Sequence, residues 1–168
     1  MELKEQIKTH LTEKKEKARL EKIEANSKLA KVILYTDKNN KYCDTIKTHL
    51  NNEGIQYEEK EKTKHTKEIT QVFARINLNV SPVALINGTY LAHGRDFQNP
   101  QQLVLAIQYL GHKDYVQVPD NDKVYEQIKT MQYHLFQKLN QLEQKLNPII
   151  NFISNIQKKI EEEDKKGE

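Results

Sequence analysis

Cysteine occurs once in 168 residues, at Cys43. A lone thiol excludes a disulfide within the chain. Neither it nor the six histidines fall at the paired spacings of a structural zinc site, so no metal is expected. Long apolar runs are missing too: none approaches the ~20 residues of a membrane span, and no hydrophobic signal core stands at the start. The opening MELKEQIKTHLTEKKEKARLEK carries acidic residues throughout, unlike a standard organelle transit peptide, which leaves other import routes open. An intracellular, reducing compartment is expected, cytoplasmic or mitochondrial.

Charge of one sign is nowhere concentrated. The 27 basic and 24 acidic residues, net +3, interleave as in EKKEKARLEKIE. Nucleic acids need a gathered cationic surface, and none is here; the mixed runs read as the wet faces of helices. Apolar residues are only 36% of the chain against 30% charged. Much of it must therefore be solvated or bury its apolar stripe against a partner, which describes a small core with long arms.

Four regions follow from the patterning. Residues 1–29 are a helical extension: from Glu2 to about Ala25 nothing breaks a helix, and Leu3, Ile7 and Leu11 repeat at i, i+4, i+8. So narrow a stripe is marginal in water, so this helix is expected to dock. Residues 30–112 alternate strands and helices in the order βαβαββα. KVILYT is a buried strand. YCDTIKTHLNNEG is a helix with Ile46 and Leu50 inward and Gly54 as its stop. IQYEEK alternates as a second strand, and HTKEITQVFARIN places Ile69, Phe73 and Ile76 on one helical face. SPVALING is a third strand closed by the Asn87-Gly88 turn signal, with TYLA as its hairpin partner. NPQQLVLAIQYLGH is a helix with Asn99 as N-cap, Pro100 at its first position and Gly111 past its end.

Residues 113–120 form a linker, and 121–168 a long helix or a kinked helix pair. There Val124, Ile128, Met131, Leu135, Leu139, Leu142, Leu146, Ile149, Ile153, Ile156 and Ile160 are spaced by fours and threes. This is a heptad-like seam with a stutter in the Leu135 to Leu142 stretch. Pro148, after Asn147, is expected to kink the helix or to stop it and start another. At 1.5 Å per residue the span approaches ~60 Å, about twice what the preceding domain covers, so a partner or a second copy of the chain is expected on the seam.

The central 81 residues resemble a glutaredoxin of the thioredoxin fold. Three stretches carry the resemblance in order and spacing: VILYT before a turn with YC opening the next helix, SPVALING in the place of the family's Thr-Val-Pro segment and following strand, and YLAHGRDF where the family has paired glycines and an acidic pair. The family's nucleophilic cysteine stands three positions before a second, at a helix N-terminus that lowers its pKa. Here those four positions are Asn40, Lys41, Tyr42 and Cys43, so the resemblance puts an amide where the nucleophile belongs. The same missing cysteine would anchor an iron-sulfur cluster, which argues against a cluster too.

For a glutathione groove, the resemblance implies that Lys38, Ser81, Pro82 and Asp96 remain, Pro82 as a cis proline. A family lysine falls on Asp37, the glycine pair becomes Ala92 and His93, and Arg95 reverses one acidic charge. Cys43 then reads as a packed, inert thiol or as a relocated one poised by Lys38 and Lys41. Tyr35 and Tyr42 read as packing residues. Arg95 is expected to pair with Asp96 or Asp37, or to face water.

Two functions are expected from this. In the first, the protein is a catalytically inactive glutaredoxin-like scaffold, a structural or accessory subunit or adaptor, without cofactor. Its surface is then Leu3, Ile7 and Leu11 at one end and the Val124 to Ile160 seam at the other, gripping other protein subunits or itself. In the second, it is a thiol-disulfide oxidoreductase or glutathione binder using Cys43.

Overall fold

The protein's structure, a computed structural model, describes the backbone of residues 2–112 and 122–164 and the side chains of residues 10, 12–112 and 123–160. The expected linker, residues 113–120, lies wholly outside these. Helix α1 spans Glu2–Ser27 and α5 spans Asp122–Asp164. Between them run β1 (Val32–Thr36), α2 (Lys41–Asn52), β2 (Tyr57–Glu61), α3 (Thr66–Ile76), β3 (Val83–Ile86), β4 (Thr89–Ala92) and α4 (Pro100–Leu110).

The sheet order is β2-β1-β3-β4. β1 lies parallel to β2, with Leu34 opposite Glu59, and antiparallel to β3, with Tyr35 opposite Val83. β3 returns into β4 as a hairpin in which Ile86 faces Thr89. The turn is the Asn87-Gly88 pair, with φ of 44° and 76°, the two positive values that a two-residue hairpin turn requires. This is the expected α/β, thioredoxin-like βαβαββα arrangement.

The period of two along the strands divides the core between the faces of the sheet. Val32, Leu34, Ala84, Ile86 and Leu91 point to one face, where Ile46 and Leu50 of α2 and Leu103, Val104 and Ile107 of α4 meet them. Tyr35, Val83, Tyr90 and Ala92 point to the other, against Ile69, Val72 and Ile76 of α3. Val72 takes the fully buried place expected for Phe73, which is only partly buried. β2 is an edge strand of sequence YEEKE, a charged composition that discourages pairing with another chain.

α1 docks through its C-terminal turns, beyond the stripe read from the sequence. Asn26 is buried, donates to the Glu53 carbonyl at 2.6 Å and accepts from Gln108 at 2.9 Å, so it joins α1 to the end of α2 and to α4. Gly54, at φ 70°, lets Ile23 approach so closely that a Cβ there would lie 2.7 Å from its Cγ2. The expected Gly54 stop is thus also the seat of α1. The side chains of Leu3, Ile7 and Leu11 lie outside the described residues.

α5 is one continuous helix of 43 residues that contains Pro148. Of the two outcomes expected at Pro148, a kink or a stop and fresh start, the stop does not occur, and the expected long helix runs on through the proline. Proline there removes one donor, the bond to the Gln144 carbonyl, at a cost of ~3 kcal/mol, and the turns on either side carry the helix through.

Candidate functional site

The site implied by the resemblance is the junction of the β1–α2 turn with the residues before β3. After β1 the chain makes a turn around Asp37, whose carboxylate accepts from the Asn39 N–H at 3.0 Å and whose carbonyl accepts from the Asn40 N–H at 3.0 Å. The Asn39 bond and the Lys62 ammonium, 3.2 Å away, hold the Asp37 carboxyl below the usual carboxylate range.

Asn40 is the N-cap of α2, in extended conformation. Its Oδ1 accepts from the Tyr42 N–H at 3.0 Å, and its Nδ2 donates to the Ser81 carbonyl at 2.6 Å. The helix terminus that would stabilise a thiolate is here satisfied by a neutral amide, one of the strongest capping side chains. The second end of that amide ties α2 to the segment before the cis Ser81-Pro82 bond. Asn40 and Ser81 are therefore brought together as expected, with an internal hydrogen bond between them.

Cys43, in the first turn of α2, is 1% exposed. Burial pushes its thiol pKa up, against weaker opposing contacts from a backbone hydrogen bond of Asp37 and from the Lys47 charge. A thiol held protonated and out of solvent is a poor nucleophile. Lys38 is exposed, on the turn that Asp37 fixes.

Where the resemblance places bare glycine backbone, the rings of Tyr42 and His93 stack with centroids 4.2 Å apart, and His93 lies 5.5 Å from the ring of Phe97. The Tyr42 hydroxyl donates to the Gln98 carbonyl at 3.0 Å, closing the α2 N-terminus onto the loop after β4. Burial holds the His93 imidazole below its ordinary pKa and so favours the neutral, stacking form.

Asp96 is likewise engaged from within. One of its oxygens accepts from the Ala92 N–H at 2.8 Å and from Arg95 Nε at 2.8 Å. The Arg95 side chain is 2% exposed and reaches further, to the Tyr90 carbonyl at 3.1 Å and to the carboxylate of Glu126, itself 3% exposed. Of the three alternatives for Arg95, pairing with Asp96 is the one observed, and Glu126 is a partner the sequence reading missed. A guanidinium so deep is tolerated only with charge partners and hydrogen bonds. Arg95 thus holds the first turn of α5 against the β4–α4 loop.

The seam residues Val124, Ile128, Met131, Leu135, Leu139, Leu142, Leu146, Ile149, Ile153, Ile156 and Ile160 are all exposed, from 42% at Ile156 to 62% at Leu139. Tyr125, Phe136, Ile150 and Phe152 join them; the sequence reading left these out because it followed a single line of fours and threes. Leu105 and Tyr109, one turn apart on the outer side of α4, are exposed as well and gave no signal distinct from the core positions beside them.

Among the described residues no group of three or more histidine, cysteine, aspartate or glutamate side chains is placed to hold a metal ion, and no helix is long and apolar enough to cross a membrane. A cavity lies at the far end of α2 from Asn40, lined by Arg19, Lys22, Ile23 and Glu53 among others.

No protein-family model matches the sequence, and no curated protein matches it. Among solved structures, the chain is similar to a thioredoxin-like protein crystallised as a single-substitution mutant. The two are 20% identical, with 47% of this chain and 96% of that one covered, at a TM-score of 0.37.

Proposed function

We propose that this is a glutaredoxin-like protein without thiol chemistry, acting as a structural or accessory subunit or adaptor through its long helices. The observation that carries the reading is Asn40: an amide caps α2 where the resemblance puts the nucleophile, and both of its ends are hydrogen-bonded within the protein. Three further features support it. The one thiol is buried, the Tyr42–His93 stack occupies the glycine end of the implied groove, and Asp96 is engaged by Arg95. Lys38, Ser81 and Pro82 remain as traces of a glutathione groove without a reactive atom beside them. The α5 seam, and Leu3, Ile7 and Leu11 of α1, are the surfaces the reading assigns to protein partners, in a reducing intracellular compartment.

The test is glutathione-dependent reduction of a mixed disulfide by the purified chain. The reading predicts the uncatalysed rate, unchanged in Cys43→Ser. Turnover by the wild type that disappears in Cys43→Ser would replace it with a thiol-disulfide oxidoreductase using Cys43.

A further inference from the structure

The α5 face contains more than a single seam. A continuous heptad frame runs through Ile128 to Ile160, with Gln132, Leu139, Leu146, Ile153 and Ile160 at position a and Ile128, Leu135, Leu142, Ile149 and Ile156 at position d. In this frame every exposed large apolar side chain of the stretch falls at a, d, e or g: Phe136 and Ile150 at e, Met131 and Phe152 at g. The stutter read from the sequence is then a single polar a position, Gln132. At 100° per residue these four positions cover an arc of about 160°, wider than the strict a and d seam of a two-stranded coil.

We propose that α5 assembles with further copies of this chain as a parallel coiled coil of more than two strands. Charge placement selects a second copy in parallel. Position g carries Lys138, Lys145 and Lys159, and position e carries Lys129, which meets the uncharged Val124 of the neighbour, and Glu143. In a parallel, in-register assembly g meets e of the neighbour, so Lys138 meets Glu143 of the second copy, Lys145 lays its stem over Ile150, and Met131 meets Phe136. No like charges face each other among these pairs. The antiparallel register that pairs the whole seam, Ile128 beside Ile160 and Leu142 beside Leu146, sets Lys145 against Lys145 and Glu143 against Glu143 of the second copy. The core residues choose the number of strands. Leu146 at a is followed by Ile149 at d, and Ile153 and Ile156 fill the next a and d; both combinations disfavour the two-stranded form. The apolar e and g positions then face the neighbouring strands on either side.

This inference rests on the reading of α5 as a docking surface and is separable from it, because the thiol site is tested by glutathione turnover. Sedimentation equilibrium of the full chain is expected to give three or more times 19.8 kDa. Leu135→Asp with Ile153→Asp is expected to return it to one chain while the far-UV spectrum keeps the α/β domain. In a Cys43→Ser background, Gln132→Cys is expected to cross-link chain to chain on mild oxidation, since only a parallel, in-register assembly brings two copies of an a position together. A monomer or a two-chain species at micromolar concentration overturns the proposal. So does a larger assembly in which position 132 does not cross-link.

Discussion

Asparagine at position 40 is a structural joint, capping α2 and bonding the segment before β3. Replacing it with alanine removes the cap on the Tyr42 N–H and the donor to Ser81, and is expected to cost roughly 1–2 kcal/mol of stability, read by denaturant unfolding. Equal midpoints for Asn40→Ala and wild type would show that the joint bears no strain of the fold. His93 gives a second prediction at this scale. Its folded pKa is depressed below the ordinary 6.5 by burial, so between the depressed value and 6.5 the unfolded chain binds more protons than the folded one. Its contribution is complete above 6.5 and is lost as pH falls through that window. The melting temperature is expected to fall over this interval, and His93→Phe, which keeps a ring against Tyr42, is expected to flatten that fall.

Among the elements, one glycine seats α1 and one arginine holds the first turn of α5 against the β4–α4 loop. Gly54→Ala meets both the positive φ and Ile23, and is expected to cost about 2 kcal/mol, above the ~1 kcal/mol of the backbone term alone. Arg95→Met removes the guanidinium from Asp96 and from the buried Glu126, and is expected to cost ~3–5 kcal/mol; thermal unfolding of the variant checks it. The central elements were legible from the sequence because short-range rules decide them: β-branched runs for β1 and β3, Asn87-Gly88 for the hairpin, Asn99-Pro100 for the start of α4. The docking of α1 was not, since Ile23 and Asn26 act through single long-range contacts and make no periodic stripe. Glu126 was illegible for the same reason: nothing local distinguishes a buried glutamate from its solvated neighbours. Pro148 left a kink and a stop both open in the sequence, and it does not stop the helix, because one lost hydrogen bond is a small fraction of a 43-residue helix. At the candidate site the single cysteine could be read directly, while the capping role of Asn40 follows from a known preference that no periodic pattern signals.

For the molecule as a whole, these features divide the labour between a sheet domain with an internally satisfied site and a helix with an unsatisfied face. Burying a leucine or isoleucine fully is worth ~1.5–3 kcal/mol, so the exposed row on α5 is the face on which a partner would gain most, while the hydrogen bonds around Asn40 and Asp96 are made within the domain. The central claim is that no accessible sulfur stands at the start of α2. It is tested most directly by intact-mass measurement of the native chain after incubation with glutathione disulfide. The account predicts an unmodified mass under native conditions and a single glutathione adduct on Cys43 once the chain is unfolded in denaturant. A glutathione adduct on Cys43 that forms as fast in the folded protein as in the unfolded one would contradict it.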